Sequence, residues 1–178
     1  ILRKLTWLRK WFIGESQASY SFGEKTYRGR VNQHRTLIEK DPQEIYAILI
    51  DPDQLARWCP LEEISVEKVS PGQFGLGTKF HFHLQFRIQL DWDSEVIHLQ
   101  KGQQIVYRFM NGIFEGGIEI WDLKKTESGT EVTHTLVYQI HRWIHKAGWY
   151  LLGGQRKHDE LTKLALSRLK SLLQGTSS

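Results

Sequence analysis

His98, His134, Glu119 and His158 are the residues whose type and position could do chemistry in this sequence. The first two come from strand alternation. Asp91, Asp93 and Glu95 require water, so Trp92, Ser94, Val96 and His98 should face inward. Val132, His134, Leu136 and Tyr138 share a face of a later strand, and Tyr107 and Phe109 are similarly placed. Between them, Glu119, Trp121 and Leu123 compete with Ile118 and Ile120, and alternation leaves open which set is buried. An inward histidine could serve as general base toward an acidic carbon, or anchor a ligand. A buried Glu119 could take the same role with a raised pKa. A hydrogen-bonded structural group is the commoner fate for each, and His158, on the C-terminal helix, carries the same two readings.

Other clusters carry less. His81 and His83, two apart on a strand, share a face, but they lie on its polar side with Lys79 and Arg87 and lack a third ligand. No metal site is expected. Asp91-Trp92-Asp93 lacks calcium-loop spacing. Cys59 has no nearby histidine to activate it and reads as a buried, inert thiol. No Walker loop, dinucleotide fingerprint or nucleophile-elbow signature occurs, so no cofactor is expected. A single Cys excludes an intramolecular disulfide and a cysteine zinc cluster, which suits a reducing, cytoplasmic setting.

The elements that must position these groups are marked along the chain. Residues 25–39 read as a strand. Asp41-Pro42 and Asp51-Pro52 each place an N-cap before a first-turn proline, predicting two short helices that end near Trp58-Cys59-Pro60. A short strand around Ile64, Val66 and Val69 follows. In 78–90, Phe80, Phe82, Leu84, Phe86, Ile88 and Leu90 alternate with polar residues, as in a sheet dry on one face. Further strands are predicted at 91–99, 103–110, 113–123 and 130–140, with turns at Lys101-Gly102, Asn111-Gly112 and Ser128-Gly129. Residues 142–173 read as helix, broken near Gly153-Gly154, with Leu161, Leu164, Ala165, Leu169 and Leu172 forming an apolar stripe.

The 178 residues allow one domain with a sizeable core, preceded by a distinct N-terminal segment, 1–24. Apolar residues at 1, 5, 8 and 12 predict a basic amphipathic helix over 1–13, stopped by Gly14, with Glu15 to Gly23 as a loop. Such a helix suits either a membrane interface, peripheral to the bilayer, or packing on protein. Residues 1–30 carry five net positive charges and the remainder one net negative charge. A near-neutral body argues against nucleic-acid binding.

This order of elements, with the paired Asp-Pro helices ending in Arg57-Trp58, Trp92 and Val96 in mid-sheet, and Gly129-Thr130-Glu131-Val132-Thr133 opening the last strand, resembles the START-like (SRPBCC) helix-grip superfamily. It looks closest to the polyketide cyclase/dehydrase and lipid-transport branch. The resemblance covers about 26–173 and implies an α+β fold: a curved seven-stranded antiparallel sheet gripping the long C-terminal helix. Residues 25–178 would form the ligand-binding domain, with a cavity between sheet and helix. Phe80, Phe82, Trp92, Val96, Tyr107 and Tyr138 are the expected sheet-side contacts of an apolar ligand; His158, Leu161 and Ala165 are those of the helix. Members of the superfamily bind lipids, sterols, polyketides or quinones; some catalyse cyclisation or dehydration, and others are assembly factors. Three readings follow: a hydrophobic-ligand carrier, a cyclase/dehydratase using His98, His134 or Glu119, and an interaction protein with an incidental cavity.

Overall fold

Eight antiparallel strands form one sheet in the order β1-β2-β8-β7-β6-β5-β4-β3 in the computed structural model, which describes residues 17–86 and 88–175. The strands are β1 (Gln17–Phe22), β2 (Lys25–Ile38), β3 (Ile64–Lys68), β4 (Lys79–Phe86), β5 (Ile88–Gln100), β6 (Gln104–Phe109), β7 (Ile118–Thr126) and β8 (Gly129–Tyr138). Helices α1 (Pro42–Leu49) and α2 (Leu55–Trp58) follow β2, separated by a 3₁₀ turn at Pro52–Gln54. Helices α3 (Trp143–Tyr150) and α4 (Gly154–Gln174) follow β8. This is the α+β helix-grip fold. The expected helix over 1–13 lies outside the described residues.

Both Asp-Pro signals act as read. Asp41 accepts from the Gln43 N–H at 3.0 Å and Asp51 from the Asp53 N–H at 2.9 Å, each with proline in the first turn. The first strand corrects the sequence reading. Residues 17–22, expected to be loop, pair with β2 from Gln17↔Arg30 to Phe22↔Lys25, making the sheet eight-stranded rather than seven. Ala18, Tyr20 and Phe22 do alternate with serines, but alanine and serine are weak strand formers and the stretch is short. The segment 78–90 is likewise not one strand, because the chain reverses between Phe86 and Ile88. Opposed residues such as Phe82 and Trp92 share a face, so alternation runs through the turn unbroken. The strand expected from 113 begins only at Ile118, and Phe114 in the preceding loop is buried.

Two apolar clusters sit on the face turned to α4. One joins Ile38, Ile45, Leu49, Trp121, Val132 and Leu169; the other joins Phe109, Phe114, Leu136, Tyr138, Ile140 and Trp149. The opposite face has a third cluster, in which Val106, Ile118, Ile120 and Val137 are covered in part by Tyr20 and Phe22. Sheet centre and β1 thus explain the ambiguity in β7: both of its faces are dry.

Candidate functional site

A cavity of about 210 Å³ lies between the sheet and α4, walled by members of both inner clusters. Its floor comes from β3 to β8, its roof from α4, and its ends from the α1–α2 region and from α3. Phe80, Phe82, Trp92, Tyr107, His158, Leu161 and Ala165 all line it. Phe82 and Trp92 stack with centroids 5.1 Å apart, a cross-strand aromatic pair that stiffens one wall. Val96 and Tyr138 are buried but absent from the wall. The Tyr138 hydroxyl accepts instead from the Trp149 indole N–H at 3.0 Å.

The structure separates the three catalytic candidates. A register shift between Val96 and His98 opposes Val96 to Tyr107 but His98 to Val106. That bulge turns His98 away from the cavity and against Phe22, with ring centroids 5.3 Å apart. The inward placement expected for His98 is corrected by this extra residue in the strand. Glu119 and His134 do meet in the cavity wall. Register pairs His134 with Trp121 across β7 and β8, and one Glu119 oxygen, Oε1, lies 3.0 Å from His134 Nε2 and accepts the Trp121 indole N–H at 2.7 Å. Glu119, Trp121 and Leu123 are thus the inward set.

The electrostatics follow from burial and these partners. Burial alone pushes the Glu119 pKa up, but the His134 and Trp121 hydrogen bonds outweigh it and hold the carboxyl below its ordinary range. The raised pKa expected from sequence is therefore reversed, and Glu119 is a resident anion. Burial pushes the Tyr107 phenol, its cross-strand neighbour, strongly upward. His158 is held below the usual histidine range, chiefly by burial. Chemically, a carboxylate–imidazole pair in an apolar wall can hold a polar ligand group or pass a proton.

Sequence reasoning missed other parts of the wall. Trp58 and Trp121 line it edge to face, centroids 5.6 Å apart; the sequence marked the first only as the end of the paired helices and left the facing of the second open. Three buried atoms of wall residues, Trp58 Nε1, His134 Nδ1 and His158 Nδ1, have no hydrogen-bond partner among the described residues. His81 and His83 face Asp93 and Asp91 on the outer surface, at 2.8 and 2.7 Å, and His81 Nε2 also lies 3.8 Å from the Asp91 oxygen that His83 contacts.

A family model described as Activator of Hsp90 ATPase homolog 1-like protein matches residues 40–174. No curated protein matches the chain. Among solved structures, TTHA0849 from Thermus thermophilus is similar with a TM-score of 0.66 and 20% identity, over 83% of this chain and 99% of that one. Ara h 8.0201 gives 0.60 and 11%, over 82% and 98%. The Aha1 dimer from Colwellia psychrerythraea gives 0.56 and 19%, over 83% and 98%. At these identities the neighbours show the fold alone; together with the family match, they fit the SRPBCC helix-grip superfamily.

Cys59 also lines the cavity, and burial pushes its thiol up to about 12. Since the thiolate is the reactive form, native protein at roughly pH 8 should resist a disulfide-exchange reagent that labels the denatured chain stoichiometrically. Full labelling of the native protein would show that the thiol is neither shielded nor raised.

Proposed function

The chain belongs to the Activator of Hsp90 ATPase homolog 1-like family, and we propose that it is a binding or carrier protein for a compact, largely apolar molecule held in the cavity. The observation that supports this best is a mismatch in the cavity wall. His134 Nδ1 and Trp58 Nε1 are buried and unpaired among apolar side chains. Leaving such atoms without partners costs about 1–3 kcal/mol each. A ligand hydroxyl can accept from the Trp58 N–H or donate to His134 Nδ1, and a ligand carbonyl can accept from Trp58, while the apolar remainder contacts the aromatic walls. About 210 Å³ is below the roughly 300–1,000 Å³ of pockets for drug-sized ligands. The volume favours a molecule of one or two rings, polyketide-like or quinone-like, over a two-chain lipid. An interaction role of the kind the family description names has less support here. Leu152, a wall residue, is 46% exposed, so the cavity reaches solvent and is not filled by its own side chains.

The surface at that opening supports ligand exchange at an anionic bilayer. Trp143 is 79% exposed and Leu151 74%, beside the exposed Ile144. No acidic residue occurs between Glu131 and Asp159, whereas Arg142, Lys146 and Arg156 do. Apolar side chains amid cations suit an interface with acidic headgroups. None of the described helices is long and apolar enough to cross a membrane.

A second reading rests on the Glu119–His134 pair: an enzyme of the cyclase/dehydratase kind, in which His134 takes a proton from an acidic carbon and Glu119 stabilises the imidazolium.

Comparison of native and denatured masses should reveal a released organic molecule, or else the empty protein should take up apolar ring probes. Ala165→Phe, which fills the roof, should weaken uptake by about tenfold or more without unfolding the chain. Empty protein that refuses every probe would end the carrier reading. For the enzyme reading, His134→Gln should lower turnover of the identified ligand by about 10²-fold or more while uptake persists; turnover unaffected by this change would remove it. For the bilayer, co-sedimentation with vesicles containing about one-third anionic phospholipid should fall in a Trp143→Ala/Leu151→Ala variant. Unchanged sedimentation of that variant, beside its loss on deleting residues 1–13, would move the contact to the N-terminal segment.

A further inference from the structure

A second polar cluster lies at the seam between β2 and α4, outside the Glu119–His134 pair. Asn32 and His34 are two apart on β2 and therefore share a face, and His158 and Asp159 lie near the start of α4. One Asp159 oxygen, Oδ1, accepts from Asn32 Nδ2 at 2.8 Å, is 3.0 Å from His34 Nε2, and is 3.8 Å from His158 Nδ1. His158 Nδ1 and Asn32 Oδ1 are buried without a hydrogen-bond partner among the described residues. The single ligand atoms of His34, His158 and Asp159 all fall within 4.8 Å of one another.

We propose that His34, His158 and Asp159 bind a divalent transition-metal ion of the zinc class. Ligand atoms about 2.1 Å from a tetrahedral zinc stand about 3.4 Å apart. The two distances to Asp159 Oδ1, 3.0 and 3.8 Å, straddle that spacing. Two imidazoles and one carboxylate match the donor preferences of Zn²⁺, Co²⁺ and Fe²⁺. A flip of the Asn32 amide would add Oδ1 as an oxygen donor. The ligands stand on two elements packed together, a strand paired with β8 through Asn32 and His34 and a 21-residue helix. Lys163 adds a positive charge near His34, so the affinity should be modest, roughly micromolar. The competing account is a hydrogen-bonded clasp that only fastens α4 to the sheet.

The two accounts diverge on adding metal. Untagged full chain, treated with chelator, would be titrated calorimetrically with Zn²⁺ and followed by visible absorption with Co²⁺. One equivalent should bind, with the intense bands of a low-coordinate Co²⁺ site. His34→Gln, His158→Gln and Asp159→Asn should each weaken binding by about tenfold or more, and a His81→Gln/His83→Gln variant should not. Because α4 could loosen in a variant, imidazole proton NMR of the unaltered chain supplies a second measurement. The His34 and His158 signals should shift with Zn²⁺ and those of His81 and His83 should not. A chain that takes up no stoichiometric Zn²⁺, or uptake that follows His81 and His83 instead, overturns the proposal.

Discussion

One helix cannot cover this sheet. An α-helix with its side chains is about 10 Å across, whereas eight strands laid flat would span about 38 Å at their usual spacing. The sheet must curl around α4, and other pieces must close what remains. Helices α1 and α2 close one end, and α3 with the Phe114 loop closes the other. Each end gains its own apolar cluster, and the middle is left as the cavity. Close packing elsewhere makes this gap a property of the architecture, with its chemistry set by the side chains that the strands send into it.

Those side chains include a charge that an apolar wall would ordinarily reject. The Glu119 carboxylate persists because Trp121 donates to it and His134 lies beside it. Asp159 is treated similarly at the β2–α4 seam by Asn32 and His34. The His158 ring lies between the two carboxylate centres, 5.9 Å from that of His134 and 6.3 Å from that of His34. Helix position and floor chemistry are therefore coupled: a shift of α4 against β2 moves His158 relative to both.

Much of the fold was legible in the sequence because it rests on local signals. The two Asp-Pro caps, the alternation of Phe80, Phe82 and Leu84, and the break at Gly153 need only neighbouring residues. Strand β1 escaped because serines stand where strong strand formers would have announced it, and the β4–β5 reversal escaped because facing side chains keep the same alternation through it. In the site, Phe80, Phe82, Trp92 and Tyr107 could be assigned by counting in twos. His98 could not, since one bulge upsets the count, and the direction of the Glu119 shift depends on partners two residues and one strand away. The Asn32–His34–Asp159 cluster joins residues more than a hundred positions apart, so no spacing rule reaches it.

The bulge in β5 also changes how this interior can vary. Before it, Val96 faces inward; after it, the next inward contact is Leu99, three residues on rather than two. Removing one residue at this point would restore strict alternation while every remaining side chain kept its present face, because the extra residue is the one without a partner on β6. Substitution alters one lumen group at a time. A loss of length here would leave each lumen group facing inward and change instead the bend of the strand, so the pocket could be reshaped with its walls' composition untouched.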